Sequence, residues 1–188
     1  MKKIYIVTTF TGTLLSCLIR NISKTPYAHV SIALNEYLRP MYSFGRLNPK
    51  TPIFAEFVEE NINEGLYAIR TNTMCRVYSL MVTERQYEKL KENIDNVSIN
   101  RKQYVYDVKA LVYLSVNKPR KKDYKYVCSH FVADMLKRSE INILDKEPHQ
   151  VRPNDFYDLC DLELEYEGLL SNYYEKDKVH NIGDVVKI

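Results

Sequence analysis

The chain has 188 residues, 45% of them apolar, with five glycines and a net charge of +3. That length suits one domain whose core needs no disulfide staples. The charge is small and scattered apart from the run Lys118-Pro119-Arg120-Lys121-Lys122, and no stacking motif accompanies it, which argues against nucleic acid as a partner. Cys17, Cys75, Cys128 and Cys160 are far apart and form no C-x-x-C pair. They predict free thiols in a reducing compartment, with neither a zinc knuckle nor a disulfide framework, and no metal or other cofactor is expected.

Residues 3–8 form a β-rich run, closed by Thr11-Gly12-Thr13. Thr13 is placed to cap a helix over residues 14–22. Met1-Lys2-Lys3 and the apolar stretch before Ser16-Cys17 also imitate a lipoprotein signal, which would anchor the chain through Cys17. Thr8, Thr9, Thr11, Gly12 and Thr13 interrupt that stretch, however, and Leu18, Ile19 and Ile22 carry the apolar stripe past the supposed cleavage point. A first strand and first helix of a cytoplasmic protein is the favoured reading, and no segment is long enough to span a bilayer.

Residues 29–34 read as a strand, with His29, Ser31 and Ala33 on one face and Val30, Ile32 and Leu34 on the other. A turn at Asn35-Glu36-Tyr37 leads to a return strand over residues 41–44. Residues 54–60 and 67–69 are weaker strands, and residues 75–82 a strong one. Thr83 then caps a helix with Tyr87, Leu90 and Ile94 as its apolar stripe. Residues 107–116 lean helical, Cys128 opens a helix running to about Glu140, residues 152–159 form a short capped helix, and residues 162–170 a last strand. Strands dominate the first 82 residues and the strongest helices follow, so the fold class is α+β, an antiparallel sheet packed against the Cys128 helix. The core is expected over residues 3–160, with an extension over 161–188.

Cys128 is the candidate nucleophile. Phe131, Val132 and Met135 follow at i+3, i+4 and i+7, placing the thiol at the top of a buried stripe. There the unpaired N–H groups and positive dipole end of the helix favour a thiolate. A sulfur nucleophile needs a base. His130 points away from Cys128 on the same helix, and His149 and His180 lie in polar, loop-like segments. His29 opens an apolar strand beside the small residues Ser31 and Ala33, leaving room for the helix end that bears Cys128.

Tyr27-Ala28-His29-Val30-Ser31-Ile32-Ala33-Leu34, followed far downstream by Tyr126-Val127-Cys128-Ser129-His130-Phe131-Val132-Ala133, resembles the circularly permuted papain-like fold of the NlpC-type cysteine peptidases and amidases. In that branch, which includes the lecithin-retinol acyltransferase group, the histidine strand precedes the nucleophile helix. The Thr-Gly-Thr turn and Pro153-Asn154-Asp155-Phe156 are also similar. The resemblance implies Cys128 as nucleophile, His29 as base, and a polar third residue on the strand after the histidine strand. Residues 41–44 hold no His, Asn, Gln, Asp or Glu, a departure from the common pattern that leaves Tyr42 and Ser43 open, with Glu56 on the next segment as another candidate. The Cys128 N–H, with Tyr27 or Tyr126, would serve the oxyanion. The implied activity is cleavage of an amide bond in a small or cell-wall-related peptide through a thioester. Acyl transfer, or a binding module that has lost turnover, stand as alternatives.

Overall fold

The β-branched and aromatic residues near the start of the chain form the interior of a sheet. The computed structural model describes residues 1–13, 16–17, 20–21, 26–46, 55–107, 124–157 and 159–175. Its strands are β1 (Lys2–Phe10), β2 (His29–Ala33), β3 (Met41–Arg46), β4 (Ala55–Glu60), β5 (Met74–Val82), β6 (Val105–Tyr106), β7 (Lys125–Tyr126) and β8 (Glu163–Leu169). The helices are α1 (Gly65–Ile69), α2 (Glu84–Ile99) and α3 (Cys128–Arg138). Six strands make one sheet in the order β4-β3-β2-β1-β5-β8, each neighbour antiparallel, and β6 and β7 form a separate parallel pair. The architecture is α+β.

Strand β1 lies inside the sheet, and its two faces serve two apolar clusters. Ile4 and Ile6 join Val30, Ile32, Phe44, Phe57 and Leu80 beneath α2 and α3. Tyr5 and Val7 join Ala33, Met41, Tyr67, Cys75 and Val77 on the opposite face. Two-sided burial explains why Ile4, Tyr5, Ile6 and Val7 follow one another without polar alternation in the β-rich run.

Thr83 caps α2 through a reciprocal box: it accepts from the Gln86 N–H at 3.2 Å, and Gln86 Oε1 accepts from the Thr83 N–H at 3.0 Å. Such a cap contributes about 1 kcal/mol. Leu90, Ile94 and Val97 fill its buried stripe. In α3, Phe131, Val132 and Met135 are wholly buried, each contributing about 1.5–3 kcal/mol by leaving water. Ser139 and Glu140 follow the last helical residue, with Glu140 in the left-handed region at φ 61°.

Three expectations change. Residues 67–69 are helical, because Gly65 takes a positive φ of 56° and starts α1 instead of a strand. Pro153–Phe156 is a single 3-10 turn, fixed by Asp155 accepting from the Arg152 N–H at 2.8 Å. The packed core passes residue 160, since β8 pairs with β5 and Leu170 and Tyr173 are buried in the second cluster. Thr13 does cap the helical residues Ser16 and Cys17, accepting from the Ser16 N–H at 3.3 Å. Residues 14–15, 18–19 and 22 of the expected first helix, the segment 108–116, the basic run and the tail from 176 with His180 lie outside the described residues. Among the described residues no helix is long and apolar enough to cross a membrane.

Candidate active site

Helix α3 packs on the Val30 and Ile32 side of the sheet, whereas β2 alternation sends Ser31 and Ala33 to the other side. The helix therefore does not lie on the small-residue face, as the sequence suggested. Cys128 and His29 meet instead at the first residue of α3 and the first residue of β2. The thiol is near enough to the imidazole to help raise the His29 pKa. Cys128 is 5% exposed, while the His29 side chain keeps 21% of its surface in solvent.

The other side of the ring is held by a carboxylate. His29 Nε2 lies 2.9 Å from Oε1 of Glu60, the last residue of β4. Nε2 is thereby committed, so Nδ1 is the ring nitrogen left to serve the thiol. Glu60 Oε2 accepts from the Ser31 hydroxyl at 2.5 Å and from the Tyr67 hydroxyl at 3.4 Å. Ser31 Oγ also lies 3.3 Å from His29 Nε2. Burial works against a charged imidazole, yet Glu60 and Cys128 outweigh it and hold the His29 pKa well above its usual 6.5.

Gly45 makes room for this pair. A β-carbon there would stand 3.3 Å from Glu60 Oε1 and 3.4 Å from His29 Cε1. Any side chain on this strand position would press on both members.

The group behind His29 is thus Glu60, in place of the three residues the sequence offered. Ser43 donates to the Val30 carbonyl at 2.9 Å and is fully buried. Tyr42 stacks on Phe57 at 6.2 Å, on the α2 and α3 side of the sheet. Glu56 shares the β4 face with Glu60 but sits opposite Gly45 in the register. The two tyrosines proposed near the oxyanion are tied elsewhere. The Tyr126 hydroxyl donates to Asp134 and accepts from Arg138 at 3.1 Å, and its ring packs on Phe44 and His130. The Tyr27 hydroxyl donates to Glu167 at 3.1 Å, and burial with that carboxylate pushes its pKa up to about 12. His130 is held neutral, its pKa lowered to about 4 chiefly by burial, and its ring faces His149 at 6.4 Å.

The helix start has no side-chain cap. Val127 occupies the cap position and makes no side-chain hydrogen bond to the first turn. Ser129 anchors this end by donating to the Val151 carbonyl at 2.6 Å. A cavity of about 260 Å³ borders the far half of α3, against Ala133, Leu136 and Pro148, away from Cys128. All four thiols are free. Among the described residues no group of three or more His, Cys, Asp or Glu side chains is placed to hold a metal ion.

Glu60 and Tyr67 were the residues the sequence reading missed. Glu60 follows Glu56 and Val58 at the strand period, and Gly45 within an otherwise large-residue strand marked a close approach. No protein-family model matches the chain, and no curated protein matches it in sequence.

Proposed function

We propose that this chain is a cysteine hydrolase of the permuted papain-like type, acting on an amide bond in a small peptide. The observation that carries the reading is a thiol at a helix start against an imidazole whose far nitrogen is held by a carboxylate. Nucleophile, base and orienting group form the arrangement that thiol acyl transfer needs.

In this reading the Cys128 thiolate attacks the amide carbonyl carbon. The oxyanion is taken by the Cys128 N–H at the start of α3. His29 gives its Nδ1 proton to the leaving amine as the C–N bond breaks, leaving a thioester on Cys128. The now neutral ring removes a proton from water, which attacks the thioester and releases the acid, returning Cys128 as thiolate and His29 as its protonated form. Glu60 keeps Nε2–H engaged throughout, and so fixes the ring's orientation and stabilises its charged form.

The presence of Glu60 supports an enzyme over a binding module, since the module rested on the lack of a third group. The test is intact-protein mass spectrometry after exposure to pooled peptide amides and activated esters. A covalent acyl adduct on Cys128, absent in Cys128→Ala and formed more slowly in His29→Ala, is expected. Adducts spread over Cys17 and Cys160, with none on Cys128, would reject the reading.

A further inference from the structure

A glutamate side chain has three rotatable bonds, and one hydrogen bond to an imidazole does not fix its carboxylate. Glu60 is held at its other oxygen by two hydroxyls from different elements, Ser31 on β2 and Tyr67 on α1. We propose that Ser31 and Tyr67 are positioning residues: by binding Glu60 Oε2 they aim Oε1 at His29 and so keep the imidazole turned toward Cys128. This rests on the reading of Cys128, His29 and Glu60 given above.

The connectivity of the network supports it. The Tyr67 hydroxyl has one proton, and it points to Glu60. The Thr9 hydroxyl, 3.3 Å away, therefore donates to the Tyr67 oxygen. Thr9 is also the partner of His29 in the β1–β2 register. The chain Thr9, Tyr67, Glu60, His29 begins and ends on one rung of the sheet, so the carboxylate is braced against β1, the strand paired with the one that carries the histidine. Tyr67 is buried at 6% exposure, and its burial and the Glu60 charge hold its pKa well above 10, which keeps its hydroxyl a donor. A purely structural role would need only the ring, which already packs in the second apolar cluster.

The test is a double-mutant cycle on the full chain. Ser31→Ala and Tyr67→Phe are made in the native chain and in Glu60→Gln, with Ser31→Thr as the variant that keeps the hydroxyl. Two quantities are read: the rate of Cys128 alkylation by iodoacetamide at pH 7, and the NMR titration of the His29 ring. In the native background each loss is expected to slow alkylation roughly three- to tenfold, as a slightly misaimed group does. Each should also move the His29 titration downward, by less than Glu60→Gln does. Ser31→Thr should restore both, and in the Glu60→Gln background neither loss should add anything. Equal effects in both backgrounds, or an unmoved His29 titration in both single variants, would overturn the proposal. If Tyr67→Phe does not fold, Ser31→Ala and Ser31→Thr decide it alone. Should Glu60→Gln itself leave the His29 titration in place, the failure belongs to the underlying reading, not to the positioning role.

Discussion

His29 and Glu60 are the first residue of one strand and the last residue of another, and their side chains meet at 2.9 Å across the intervening strand β3. The pair spans that strand because Gly45 has no side chain to interrupt it. The contact helps hold the His29 pKa well above its usual 6.5 and occupies Nε2.

Replacing Glu60 by Gln removes the attraction and leaves the burial. The His29 pKa is expected to fall, and the alkaline limb of activity to move to lower pH with it. A histidine whose folded pKa is raised adds stability that is fully present below its usual 6.5 and is lost as pH rises through the folded value. The stability gap between the native chain and Glu60→Gln should therefore be widest near pH 6 and close at alkaline pH. Urea titrations across that span measure it.

Gly45→Ala separates reactivity from stability. Replacing glycine within a strand gains about 0.5–1 kcal/mol, while crowding a tight site costs about 1–3 kcal/mol. The fold should thus survive, with a net change between none and about 2.5 kcal/mol of destabilisation. Displacing the His29–Glu60 pair by a few tenths of an ångström should slow Cys128 alkylation about tenfold. Alkylation kinetics and thermal denaturation on one sample check both halves.

Tyr126→Phe should do the reverse. The hydroxyl is bonded to Asp134 and Arg138, so its loss leaves a partly buried carboxylate short of a donor and costs about 1–3 kcal/mol. Alkylation of Cys128 should be nearly unchanged. A large loss of reactivity with intact stability would return Tyr126 to the oxyanion site.

His130 gives an opposite pH signature. Its folded pKa is lowered to about 4 from a usual 6.5, mainly by burial, so the unfolded chain takes up the proton first as pH falls. Stability should drop between about pH 6.5 and 4, and His130→Phe should flatten that part of the curve without altering Cys128 reactivity. Chemical denaturation between pH 4 and 7 follows this.

Much of the fold was legible because its signals are local. The alternation in β2, the two-sided apolar run of β1 and the Thr83 box need only a few neighbouring residues to be read. Cys128 and His29 were legible for the same reason, each marked by its own helix or strand. Glu60 was not, because its part depends on a diagonal reach over Gly45, and strand period alone favours Glu56 equally. Tyr67 was hidden by a turn: Asn61 caps the Asn63 N–H and Gly65 reverses the chain, converting an apparent strand into α1. The face on which α3 packs was misread because small residues on β2 make space for Glu60 and for Tyr67 of α1, not for α3.

The central claim is that His29 activates Cys128. Peptide-resolved mass spectrometry of iodoacetamide labelling at neutral pH, in the native chain and in His29→Ala, tests it most directly. Cys160 is exposed, whereas Cys128 is 5% exposed, so accessibility alone favours Cys160. The account requires Cys128 to be labelled first in the native chain and to lose that lead in His29→Ala. Labelling that follows exposure, with Cys160 ahead and the Cys128 rate unaffected by the loss of His29, would contradict it.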